Sequence, residues 1–147
     1  MTIERSTFPL PDVDDAMTAP FFAAAARDAL EIPRCVACAR FVWYPEAACP
    51  SCGGSLEWRP VSGLATLFSW AVVQRVFLPA FAEQVPYVTA LVALVEDPAV
   101  RVCTYLIDSE TAALVAEMPC EVVFRDLNFP TVEGVSVRVP MFRVTPR

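Results

Sequence analysis

Cys35-Val36-Ala37-Cys38 and, ten residues on, Cys49-Pro50-Ser51-Cys52-Gly53-Gly54 carry the strongest signal in this chain. Two C-x2-C knuckles place four thiolates where a tetrahedral ion takes them, and zinc favours such a closed all-sulfur set in structural sites. Each knuckle is a tight turn whose backbone N–H groups can point at sulfur. Gly53 and Gly54 supply a permissive backbone after the second knuckle, whereas the matching position after the first is Ala39, where the turn must carry a Cβ. Iron would fit the same four sulfurs as a rubredoxin-like electron-transfer site; zinc is favoured because no flavin, haem or second-cluster partner is visible. Paired knuckles argue for a metal over a redox dithiol, and a reducing compartment argues against disulfides. A saturated four-sulfur site has no open position for water, so its expected role is structural.

Outward from the cysteines, residues 31–60 hold little that could build a core, and a metal is expected to substitute for packing there. On the N-terminal side, 1–30 reads as an irregular acidic tail and a helix. Thr18 is the expected N-cap, Pro20 falls in the first turn, the Ala-rich run Pro20–Leu30 is helical, and Pro33 stops any extension. On the C-terminal side, 61–147 reads as β. The expected strands are Leu64–Phe77, Tyr87–Val95, Val100–Ile107, Cys120–Leu127 and Val135–Val144, with a short helix or turn over Asp108–Met118. Arg101 and Thr104, Glu121 and Arg125, Ser136 and Arg138 mark a sheet with one wet face. Five strands with that connection between the third and fourth match an OB-type barrel, with a small β-sandwich as the competing architecture. The fold class is therefore mainly β: an N-terminal helix, a zinc ribbon, then a five-stranded barrel.

The 147 residues carry 11 basic and 17 acidic side chains for a net charge of −6, and every basic residue is Arg. With no His and no Lys, there is no imidazole base, no Ser-His or Cys-His pair and no Schiff-base nucleophile. The acidic balance opposes nucleic-acid binding, which needs clustered positive charge. The apolar runs Phe21–Ala26 and Val85–Val95 are too short to span a membrane. Met1–Phe8 shows no secretion signal, so the expected location is cytoplasmic. A hydrophobic content of 56% leaves surplus apolar surface that a partner could cover.

Few residues stand out as catalytic. Glu46, Glu83 and Asp108 have no visible partner to shift their pKa, and Cys103 and Cys120 read as core thiols. Phe41, Trp43, Tyr44 and Trp58 are expected to pack the ribbon on the barrel. The apolar loop from Val76 to Tyr87 either folds down or meets another molecule. Phe77, Leu78, Phe81 and Tyr87, with Phe21 and Phe22 of the helix, are the candidate partner or ligand surface.

The order Pro20-Phe21-Phe22, CVAC, Trp43-Tyr44-Pro45, CPSCGG, Leu56-Glu57-Trp58, Val61-Ser62-Gly63, Leu67-Phe68-Ser69-Trp70 and Pro86-Tyr87-Val88 resembles the family of rubredoxin-like zinc-ribbon plus OB-fold proteins associated with acyl-CoA and thiolase-like enzymes. The resemblance runs from about Pro20 onwards. It implies a non-catalytic accessory subunit that docks onto a thiolase-like (lipid-transfer-protein-like) enzyme acting on acyl-CoA thioesters, such as a retro-aldolase of steroid side-chain degradation. The alternative is an acyl-CoA-binding module that holds the thioester on barrel and helix. Where many members have Pro-Pro-Arg, this chain has Tyr44-Pro45-Glu46, which removes a cation that could meet a CoA phosphate.

Overall fold

The computed structural model of the chain describes residues 10–129 and 132–146, so the first nine residues of the expected tail lie outside it. Helix α1 spans Ala19–Ala25, with Pro20 in its first turn and Ala24 and Ala25 buried. Thr18 does not cap it with its side chain; its carbonyl accepts the N–H of Phe21 at 3.0 Å. The helix also stops short of Leu30. Asp28 turns left-handed at φ 58, and the Ala29 N–H returns to the Ala24 carbonyl. That reversal releases the chain as an extended strand two residues before Pro33 could stop it.

Strands β1 (Glu31–Cys35) and β2 (Leu56–Pro60) form an antiparallel pair with Cys35 opposite Leu56. The cysteine segment therefore has a small sheet of its own. It also leans on the rest of the chain: Leu30 and Ile32 are buried in the same core cluster as the barrel residues. The Val61 N–H bonds the Leu30 carbonyl at 2.9 Å.

The remaining strands are β3 (Leu64–Val73), β4 (Tyr87–Leu94), β5 (Arg101–Leu106), β6 (Pro119–Phe129) and β7 (Val132–Val144). They close in the order β3-β4-β5-β7-β6. Two contacts make the closure: Leu64–Thr66 of β3 pairs antiparallel with Pro119–Glu121 of β6, and β5 meets β7 in parallel at Leu106 and Phe142. This is the five-stranded OB arrangement. Its core is filled by Leu67, Val92, Leu94 and Phe142.

Strand limits differ from the sequence expectation where geometry intervenes. β3 ends at Val73, and the segment expected to continue to Phe77 leaves the sheet. A bulge between Leu67 and Ser69 turns Phe68 outward, where the Arg101 guanidinium stacks on it at 3.8 Å. The expected helix or turn over Asp108–Met118 is a single 3-10 turn at Thr111–Ala113. Along β5, Val102, Thr104 and Leu106 point into the core. Pleat alternation therefore buries Thr104, expected on the wet face, and exposes Cys103, expected in the core. Cys120 is buried, and burial pushes its thiol up to about 11. Among the described residues no helix is long and apolar enough to cross a membrane.

Candidate metal centre and apolar groove

The two knuckles repeat one turn. Ala39 N–H donates to the Cys35 carbonyl at 2.9 Å, and Gly53 N–H donates to the Cys49 carbonyl at 2.8 Å. Both turn residues are left-handed, Ala39 at φ 63 and Gly53 at φ 75. The knuckles are joined through Val36 N–H to the Ser55 carbonyl, so the β1–β2 sheet sets their spacing.

The four Sγ atoms of Cys35, Cys38, Cys49 and Cys52 lie within 4.8 Å of one another. Cys35 and Cys52 are 3.5 Å apart, Cys38 and Cys49 3.7 Å. Sulfurs set tetrahedrally about 2.3 Å from an ion stand roughly 3.8 Å from each other, so this set fits a zinc-sized centre. Gly54 closes it. A Cβ there would lie 2.8 Å from the Cys35 sulfur and 3.3 Å from that of Cys52.

The electrostatics suit a cation. The Cys38 N–H, 3.4 Å from the Cys35 sulfur, is the main cause that lowers that thiol to about 6. The Cys52 N–H likewise lowers Cys49. Although the Gly54 N–H favours the Cys52 thiolate, the facing Cys35 and Cys38 sulfurs push it up to about 11. Four thiolates crowd one another when alone, and a divalent ion relieves that crowding.

The candidate surface residues divide into two groups. Phe77 and Leu78 are 75% and 53% exposed, the most open large hydrophobic side chains of their loop. Phe81 is instead half-buried, with its ring 6.0 Å from Tyr87, which stands edge-on to Tyr105 at 5.5 Å. Phe21 and Phe22 form the other group. Phe21 lies 5.1 Å from Trp43, and Phe41 and Trp43 pack on the barrel core as expected. Tyr44 does not; it is 63% exposed beyond Trp43. Glu46, Glu83 and Asp108 are exposed, the last paired with Arg125.

A groove of about 480 Å³ runs between the α1 phenylalanines and the outer face of β5 and β7, floored by Cys103, Tyr105, Val139 and Met141. Sequence reasoning missed these floor residues. Alternation along β5 was the available signal for Cys103 and Tyr105, but only the placement of α1 makes them part of a cavity.

A four-thiolate ribbon feeding a closed OB barrel defines the class: zinc-ribbon plus OB-fold proteins. The chain belongs to that zinc-ribbon plus OB-fold family, and two ChsH2 domain models match it in tandem. Residues 22–59 match the family described as ChsH2, rubredoxin-like zinc ribbon domain, and 58–125 match ChsH2, C-terminal OB-fold domain. A solved structure described as the Ltp2-ChsH2(DUF35) aldolase contains a chain that is 28% identical, with TM-score 0.77, covering 91% of this chain and 98% of that one. A DUF35 protein of unknown function from Sulfolobus solfataricus shares the fold at 13% identity, TM-score 0.55, covering 74% and 78%. A probable enoyl-CoA hydratase alpha subunit from Thermomonospora curvata is 40% identical over 78 residues, 52% of this chain. The chain spans about a quarter of that relative, 24% of its length.

Proposed function

We propose that the chain is a non-catalytic accessory subunit that docks onto a thiolase-like enzyme acting on acyl-CoA thioesters, with retro-aldol cleavage in steroid side-chain degradation as the reaction of the complex. The observation that carries this reading is the end-to-end likeness to the ChsH2 chain of the Ltp2-ChsH2 aldolase. The hydratase-subunit relative supports a CoA-thioester context. The chain's own chemistry supports an accessory role: no His, no Lys, and a sulfur set that leaves a bound ion no open position. On this reading 1–30 is the tail and docking helix, 31–60 the ribbon and 61–147 the barrel. Cys35, Cys38, Cys49 and Cys52 hold zinc, which ties the two knuckles together. Metal analysis of the purified chain distinguishes zinc from iron. Co-expression with the thiolase-like enzyme tests the docking. Stable co-purification and loss of enzyme activity on omitting this chain are expected; an enzyme fully active and stable alone would refute it.

A second reading has one observation of its own. The 480 Å³ groove could hold the acyl or pantetheine part of a CoA thioester. Calorimetry with acyl-CoA esters tests it, and heat confined to esters with long acyl chains is the expected result.

A further inference from the structure

Beside the large groove lies a second cavity of about 340 Å³, walled by Phe21, Phe22, Trp43 and Tyr44 and rimmed by Asp12 and Asp15. The rings form one continuous set. Phe21 meets Phe22 edge-on at 5.3 Å and Trp43 at 5.1 Å, and Trp43 meets Tyr44 at 5.6 Å. Aromatic faces present negative potential to a cation, and carboxylates at the rim add full negative charge. The chain uses this chemistry internally, with Arg101 over Phe68 at 3.8 Å and Arg34 over Phe41 at 5.6 Å. We infer that this notch receives an arginine side chain of the docked partner enzyme, an inference that rests on the docking reading above. The planar guanidinium stacks on Trp43 or Tyr44 while its N–H fork meets a carboxylate, which an ammonium ion cannot do in both respects.

Two further observations favour this occupant. Pro11, Phe21 and Phe22 line both cavities, so the notch and the apolar groove lie side by side across a shared wall. A partner segment with an arginine flanked by apolar residues matches that sequence of surfaces. The anionic phosphates of CoA, by contrast, are disfavoured by the Asp15 carboxylate at the rim. Asp15 also has a local duty, since one carboxylate oxygen accepts the Met17 N–H at 2.9 Å. Asp15→Asn keeps that acceptor and removes only the charge.

The test uses the full, metal-loaded chain and follows the Trp43 indole N–H resonance by NMR. N-acetyl-arginine methylamide should shift it saturably. The neutral isostere N-acetyl-citrulline methylamide should act several-fold more weakly, and Asp15→Asn should weaken the arginine probe about fivefold. Equal responses to both probes, no response to arginine, or a larger Trp43 shift with CoA would overturn the inference. Co-purification with the thiolase-like enzyme is scored separately. Co-purification without an arginine response rejects the notch and leaves the docking reading standing. An arginine response without co-purification rejects the docking reading and, with it, the named occupant.

Discussion

Gly53 and Gly54 are adjacent, yet alanine should act on them in different ways. At Gly53 an added Cβ meets nothing within 4 Å, and the only penalty is the left-handed backbone at φ 75. Ala39 occupies the equivalent turn position at φ 63, so the conformation is open to alanine at about 1–2 kcal/mol. For a chain of this size that corresponds to a fall in Tm of roughly 2–8 °C. At Gly54 the added Cβ would stand 2.8 Å from the Cys35 sulfur, 3.0 Å from the Ala37 Cβ and 3.3 Å from the Cys52 sulfur. Ordinary contact begins near 3.4 Å, so the Cys35 sulfur must retreat by roughly 0.6 Å. A metal–ligand bond tolerates about 0.2 Å. Gly54→Ala should therefore lower metal affinity at least about 10- to 100-fold, whereas Gly53→Ala should retain one ion per chain. Competition with a chromophoric chelator measures the affinities, and thermal melts measure the stabilities. Wild-type metal affinity in Gly54→Ala, or metal loss in Gly53→Ala with Gly54→Ala intact, would refute the assignment of these four sulfurs as a closed site.

Further consequences follow from the same geometry. Ala39→Gly should raise stability by about 1 kcal/mol by relieving its left-handed backbone, read as a higher Tm with unchanged metal content. Gly63 sits at φ 80 where a Cβ would come within 2.2 Å of the Val122 Cγ1. Gly63→Ala should cost about 2–5 kcal/mol in denaturant titration, and pairing it with Val122→Ala should recover the part due to overlap. Glu96 accepts the Ser62 N–H at 2.6 Å. Partial burial works against its charge, but the bonds from Ser62 prevail and hold the carboxyl below its ordinary value. A lowered folded-state pKa contributes stability that is full above the unfolded value and lost as pH falls through the folded one. The Tm gap between wild type and Glu96→Gln should thus be widest near neutrality and close below about pH 4.

The barrel was legible because its strands obey local rules. β-branched runs and pleat alternation mark Tyr87–Leu94 and Arg101–Leu106 whatever they pack against. The same alternation places Cys103 outside once Val102 is known to be inside, so that error came from weighing cysteine's general preference over its strand parity. The length of α1 was harder to read. The Ala-rich pattern continues past Ala25, and only the left-handed turn at Asp28 reverses it. Arg138, whose Nε meets the Asp28 carboxylate at 2.6 Å, anchors that turn from 110 residues away. The side chains expected to form a surface separate into an open pair at the loop, Phe77 and Leu78, and a half-buried set, Phe81 and Tyr87 at the loop with Phe21 and Phe22 in α1.

By itself the sequence determined the sulfur site, since the ligands are spaced within two short turns and an ion needs little more than four thiolates in reach. It also determined that no imidazole and no lysine amine is available, which no folding can change. The tertiary structure decided what lies beside what. It sent Leu30 and Ile32 into the barrel core, laid α1 across β5 and β7 to make the groove, and brought Asp12 and Asp15 to the rim of the rings around Trp43. Such cavities arise between segments far apart in the chain. Their walls are set by closure of the barrel and docking of the helix, and no local periodicity records those events.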